Sequence, residues 1–287
     1  MNEPHDVTFG QRLRAAMDQH GPLCAGIDPH RALVESWGLG YDLDGLRQFT
    51  ETCVEAFAGQ VAAVKPQSAF FEVFGSRGIA VLENAVRTLQ EAGTQVVVDA
   101  KRGDIGSTMA AYAEAFLGKD AVAAGDAVTV SPYLGFESLR PALDLAAQTG
   151  RGVFVLALTS NPEGRTVQHA RLRDVSVAES MVTSAAAENA AAIERGELGS
   201  VGLVVGATVG SAVQELGLDL AAMGGPLLAP GVGAQGGTSE DLRQVFGDAL
   251  PNVLPASSRD VLSAGPDVSA LRDRARSVSE TMAALLR

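Results

Sequence analysis

Short runs of uninterrupted apolar residues alternate along this chain with longer stretches in which apolar residues recur every three or four positions. The longer period predicts amphipathic helix, and a short run that is apolar at every position predicts a strand buried on both faces. Residues 9–20 form the first periodic stretch, with Phe9, Leu13, Ala16 and Met17 on one helical face. A strand is predicted at 23–27, then a helix at 42–57 that places Leu43, Leu46, Phe49, Cys53 and Phe57 largely on one side. Further strands are predicted at 61–64, 95–98, 127–130, 152–158, 201–205, 226–229 and 252–255. Helices follow them at 79–91, 108–117, 137–147, 177–193, 211–220, 239–246 and 268–286, so that each of eight strands precedes a helix.

Strands of this kind imply parallel neighbours joined by right-handed crossovers, and eight such units favour a closed barrel over an open sheet. At 287 residues the chain could be one large α/β barrel or two small domains. No proline-rich linker, composition shift or low-complexity tract divides it, and the Gly-rich stretch at 223–237 reads as a loop within the fold. The expected architecture is therefore α/β, a (β/α)8 TIM barrel occupying 1–287 as a single domain with a leading helix at about 9–20.

In a barrel the chemistry gathers just beyond the C-terminal ends of the strands. The residues there are Asp28, Lys65, Asp99 with Lys101, Thr129 with Ser131, Thr159 with Ser160, the loop around Gln235, and Arg259. The densest stretch is 94–116, TQVVVDAKRGDIGSTMAAYAEAF, in which a buried strand ends in charges and turns into a helix. Asp99 and Lys101, two apart on an extended chain, project together, and Asp104 follows a turn at Gly103, so two acids are expected to flank one ammonium. On spacing alone, Asp104 or Ser107 could instead cap the helix near Thr108, and Lys101 could be an ordinary ion-pair partner. A ring of alternating charge on adjoining strands is rarely only structural. The run Pro230-Gly231-Val232-Gly233-Ala234-Gln235-Gly236-Gly237, with Arg259 after the next strand, has the form of an anion pocket: glycines let backbone N–H groups approach, and arginine offers a fork to phosphate oxygens.

Composition narrows the partners. A net charge of −12 with no Lys/Arg-rich run argues against nucleic acid and anionic membrane. The first residues lack the pattern of a signal peptide and no apolar run is long enough to span a bilayer, so a soluble, cytoplasmic protein is expected. Cys24 and Cys53 sit in apolar surroundings and read as small core residues. His5, His20, His30 and His169 show no paired spacing, no His/Cys cluster suggests zinc, and there is neither a G-x-S-x-G elbow nor a P-loop. The scattered glycines of 202–210 do not fit a dinucleotide fingerprint. Neither a metal nor a nucleotide cofactor is called for.

The segments CAGIDPH, VKPQSAFFE, DAKRGDIGST, SPYLG, LTSNPEG, PGVGAQGG and SSRDVL, in that order, closely resemble those of the orotidine 5'-phosphate decarboxylases, specifically the longer type found in actinobacteria and their relatives. The resemblance implies cofactor-free decarboxylation of orotidine 5'-monophosphate, with Lys101 as proton donor within a network of Lys65, Asp99, Lys101 and Asp104. It implies that Asp28 and Lys65 meet the ribose end, that Ser160 reads the pyrimidine edge, and that Gln235, Gly236, Gly237 and Arg259 hold the phosphate. It also implies a homodimer in which Asp104, with Ile105 and Thr108, reaches into the partner's site. The rival readings are a Mg²⁺-dependent sugar-phosphate decarboxylase or synthase of the same superfamily, and a non-catalytic nucleotide-binding barrel.

Overall fold

The computed structural model describes residues 7–232 and 239–286. Eight strands, β1 (Cys24–Ile27), β2 (Ala63–Pro66), β3 (Gln95–Arg102), β4 (Ala127–Val130), β5 (Gly152–Leu158), β6 (Val201–Val205), β7 (Leu227–Pro230) and β8 (Val253–Ser257), close a barrel in which every neighbouring pair is parallel. The fold is thus the expected (β/α)8 barrel. Each strand contributes one residue to a central cluster: Cys24, Ala63, Val97, Ala127, Phe154, Val204, Leu228 and Leu254. A second apolar layer fills the space between the strands and the surrounding helices. Period-2 geometry sends alternate residues to these two layers, which is why the strands are apolar throughout.

Helix α1 (Phe9–His20) closes one end of the barrel. Thr8 and Gln11 form a reciprocal capping box that fixes where it starts, and Phe9, Leu13 and Met17 join the central cluster. Phe9 meets Phe154 edge to face, with ring centroids 6.0 Å apart. Gly152 makes the room, because a Cβ there would lie 2.1 Å from the Phe9 ring. The opposite end carries the strand C-termini and stays open to ligands.

The longer helices around the barrel are α2 (Leu43–Phe57), α3 (Gly75–Glu91), α4 (Gly106–Leu117), α5 (Arg140–Thr149), α6 (Val177–Glu194), α7 (Ser239–Phe246) and α8 (Val268–Leu285). Several expected boundaries shift. The second strand is two residues later than predicted, so Lys65 lies within it and not after it. The segment read as helix 211–220 keeps helix only over Ala212–Glu215, because Gly217 adopts a positive φ of 68° that terminates it. Short helices at Arg31–Ser36 and Ser68–Glu72, and a hairpin pairing Arg171–Leu172 with Val175–Ser176, were not foreseen. All three lie in loops at strand ends, where too few residues exist to show a period. Among the described residues no helix is long and apolar enough to cross a membrane.

Candidate active site

Four donors converge on one carboxylate at the end of β3. Asp99 is 5% exposed; its Oδ2 accepts from Lys65 Nζ at 2.7 Å and Gln67 Nε2 at 2.9 Å. Its Oδ1 accepts from Lys101 Nζ at 2.5 Å and from Thr129 Oγ1 at 2.8 Å. These groups come from β2, the residue just after it, β3 and β4, so three adjacent strands hold the site. Burial alone would push the Asp99 carboxyl up, but Lys65 and Lys101 outweigh it and hold the group well below the usual carboxylate range. Burial works against the Lys65 ammonium as well, and Asp99 and Asp28 overcome it, raising Lys65 above an ordinary lysine. Asp99 and Lys65 are therefore both ionised at neutral pH, and the carboxylate stands between the two lysine side chains.

Lys101 reaches Asp99 by a route that simple strand alternation does not supply. The pairing of β3 with β4 slips between Val98 and Arg102, and Lys101 takes a left-handed φ of 47°. A bulge of this kind re-aims a side chain, and a non-glycine residue holds such a backbone only where its surroundings fix it. The Lys101 N–H donates to Thr129 Oγ1 at 3.0 Å. The Lys101 side chain is 44% exposed and that of Asp99 7%, so the lysine bends inward from the rim to a buried partner.

The expectation that two acids flank one ammonium is corrected within the chain: one acid lies between two ammonium groups. Asp104 is half-buried and accepts from the Ile105 N–H at 2.8 Å, and among the described residues it forms no ion pair. Ile105 and Thr108 are exposed beside it, so this segment faces outward. Gly103 permits the turn for a reason other than backbone freedom: a Cβ there would lie 2.2 Å from the Ser131 carbonyl oxygen.

A cavity of about 160 Å³ opens beside the network, lined by Asp28, His30, Lys65, Gly231, Ser258 and Arg259 among others. It joins the ends of β1, β2, β7 and β8, so Lys65 belongs both to the charged chain and to the cavity wall. Asp28 Oδ1 and Ser258 Oγ are buried without a hydrogen-bond partner among the described residues. Buried polar atoms are normally satisfied, so two orphans at one cavity mark places for the polar groups of a ligand. Arg259 forms no ion pair among the described residues, which leaves its guanidinium available to an anion. Gln235, Gly236 and Gly237 lie outside the described residues, whereas Pro230 and Gly231, which begin their loop, line the cavity. Ser160 stands exposed on the loop after β5 and is not part of the cavity wall. That loop is held at its root by Gln168, whose amide bonds both the Thr159 N–H and its hydroxyl.

A larger cavity, about 640 Å³, lies elsewhere, between α2 and α3 on the outer wall, and contains none of the strand-end charges. Both cysteines are buried, as read from the sequence, and burial pushes the Cys24 thiol up to about 12. Among the described residues no three His, Cys, Asp or Glu side chains converge as a metal site. Sequence reasoning passed over Gln67 and gave Thr129 no role. The signal for Gln67 was its spacing two residues after Lys65, and that for Thr129 its place at the end of a neighbouring strand.

The chain is similar to known proteins over most of its length. The family described as orotidine 5'-phosphate decarboxylase / HUMPS matches residues 21–273. The orotidine 5'-phosphate decarboxylase of Streptomyces coelicolor is 61% identical over 271 residues, covering 93% of this chain and 94% of its own. That of Salinispora arenicola is 58% identical over 280 residues, covering 97% and 98%. A crystal structure from Streptomyces avermitilis, assigned as an orotidine 5'-phosphate decarboxylase, superposes with a TM-score of 0.92 at 57% identity, covering 98% of this chain and 96% of its own.

Proposed function

The chain belongs to the orotidine 5'-phosphate decarboxylase / HUMPS family, and on that premise we propose that it converts orotidine 5'-monophosphate to uridine 5'-monophosphate and carbon dioxide, the last step of de novo pyrimidine synthesis, in the cytoplasm and without a cofactor. The observation that carries the reading is the Lys65–Asp99–Lys101 chain of direct contacts standing next to a cavity that Arg259 also lines.

In this mechanism the bond between C6 and the carboxylate breaks, carbon dioxide leaves, and the electron pair stays on C6. The pair lies in the ring plane, where the pyrimidine π-system cannot delocalise it. Lys101 supplies the missing stabilisation: its ammonium, already oriented by Asp99, faces the growing charge and then gives C6 a proton. The neutral amine that results is reprotonated from solvent through its exposed rim position. Because Asp99 already binds the ammonium, the charges need little rearrangement during reaction, and preorganised charge is the most effective kind. Asp99 also stands near the leaving carboxylate, a repulsion that carbon dioxide loss relieves.

Asp28 and Lys65 hold the ribose end, Ser160 the pyrimidine edge, and Arg259 with Gln235, Gly236 and Gly237 the phosphate. The phosphate contacts lie far from C6 and supply binding energy that closes the loops. Asp104, Ile105 and Thr108 serve the site of a second subunit in a homodimer, which accounts for their outward placement here. The test is loss of orotidine 5'-monophosphate absorbance with purified protein, with and without EDTA. Turnover insensitive to the chelator is expected. Turnover abolished by EDTA and restored by Mg²⁺ would favour a metal-dependent sugar-phosphate enzyme of the superfamily, and tight uridine 5'-monophosphate binding without turnover would favour a non-catalytic barrel.

A further inference from the structure

We propose that Thr129 is a positioning residue for this reaction: its single hydroxyl couples the left-handed backbone of Lys101 to the Asp99 carboxylate and so sets where the Lys101 ammonium stands. The assignment rests on the decarboxylase reading above.

Thr129 is 1% exposed on β4. Its Oγ1 donates to Asp99 Oδ1 at 2.8 Å and accepts from the Lys101 N–H at 3.0 Å. The direction of both bonds is forced. An ionised carboxylate can only accept and a backbone N–H can only donate, so the hydroxyl hydrogen must point to Asp99 and a lone pair to Lys101. The hydroxyl has no alternative arrangement that satisfies both neighbours.

The Lys101 N–H needs this partner because the ladder between β3 and β4 is interrupted there: pairing jumps from Val98 to Arg102. Without the hydroxyl, a peptide N–H at a bulge would be left without its bond while its residue holds a φ of 47°. Relaxing that φ toward the extended region would swing the Lys101 side chain away from Asp99. Thr129 and Lys101 Nζ also meet at the same oxygen, Asp99 Oδ1, so the hydroxyl fixes the carboxylate's rotation as well as the backbone that delivers the ammonium. Groups that orient a reacting residue in this way act on rate more than on binding, because small displacements at the reacting atom cost more than displacements at the phosphate.

The experiment compares wild type, Thr129→Val and Thr129→Ser for turnover of orotidine 5'-monophosphate and for calorimetric binding of uridine 5'-monophosphate. Valine keeps the shape and removes both hydrogen bonds, whereas serine keeps the hydroxyl. We expect Thr129→Val to lose about tenfold or more in kcat with KM and product affinity changed less than about threefold, and Thr129→Ser to stay within about threefold of wild type. If the valine protein does not fold, Thr129→Ala replaces it under the same criteria. A kcat within about twofold of wild type in the hydroxyl-free variant would overturn the assignment, as would a serine variant as impaired as valine, or a rate loss matched by an equal loss of product affinity. A wild type that binds uridine 5'-monophosphate but never turns over the substrate would overturn the decarboxylase reading itself.

Discussion

Asp99 keeps its charge in a nearly dry setting because two ammonium groups and two neutral donors share its oxygens. Removing that charge exposes what it neutralises. Asp99→Asn removes the direct ion-pair partner of the buried Lys65 and should destabilise the fold by about 3–5 kcal/mol, measured by chemical denaturation. The sign of the pH dependence follows from the depressed acidity of Asp99 in the fold. Its contribution to stability is fully present above about pH 4, the ordinary range for an aspartate, and is lost as pH falls through the lower folded value. Part of the acid-side loss of stability expected of wild type should therefore be missing in Asp99→Asn. Arg259 is placed at the cavity without an ion-pair partner among the described residues, so Arg259→Ala should lower kcat/KM by about 2–5 kcal/mol in steady-state assays. A neutral result would move the phosphate elsewhere.

At the scale of elements, the regular parts were legible in the sequence and the irregular ones were not. Eight apolar runs and the helices after them sufficed for the barrel, because burial on both faces leaves a pattern in every strand. The pairing of Lys65 with Asp99 followed from their places on adjoining strands. Thr129 did not follow, because its role depends on a register slip between β3 and β4 that no single strand encodes. The same slip explains why Lys101 meets Asp99 through a left-handed backbone when alternation had suggested a simpler route. Asp104 looked like a second flanking acid because sequence proximity does not distinguish inward from outward once a turn intervenes. Helix α1 shows the other side of this: its apolar face was readable, but its capping box shows only in the structure and its function as a plug depends on Phe9 entering the space left by Gly152. Phe9→Ala should cost about 3–5 kcal/mol in denaturant unfolding while leaving the chemistry at the far end intact. A loss below 1 kcal/mol would show that the plug is dispensable.

On the scale of the whole molecule, the barrel separates two tasks. One end is sealed by apolar packing, and the other collects charges that a closed ring of strands keeps fixed against mutual relaxation. In the function proposed above, the outward Asp104 segment completes the site of a second chain. Mixing inactive Lys101→Ala and Asp104→Ala proteins should restore activity in about a quarter of the sites after random exchange, since each hybrid dimer rebuilds one site. No recovery despite demonstrated exchange would assign Asp104 to its own subunit. The most direct test of the central claim is the reaction run in D₂O with EDTA, with the product followed by proton NMR for wild type and Lys101→Ala. The wild type should yield uridine 5'-monophosphate carrying deuterium at C6 and the variant should yield none. Product formed by Lys101→Ala at a rate comparable to wild type, or no product from wild type, would contradict it.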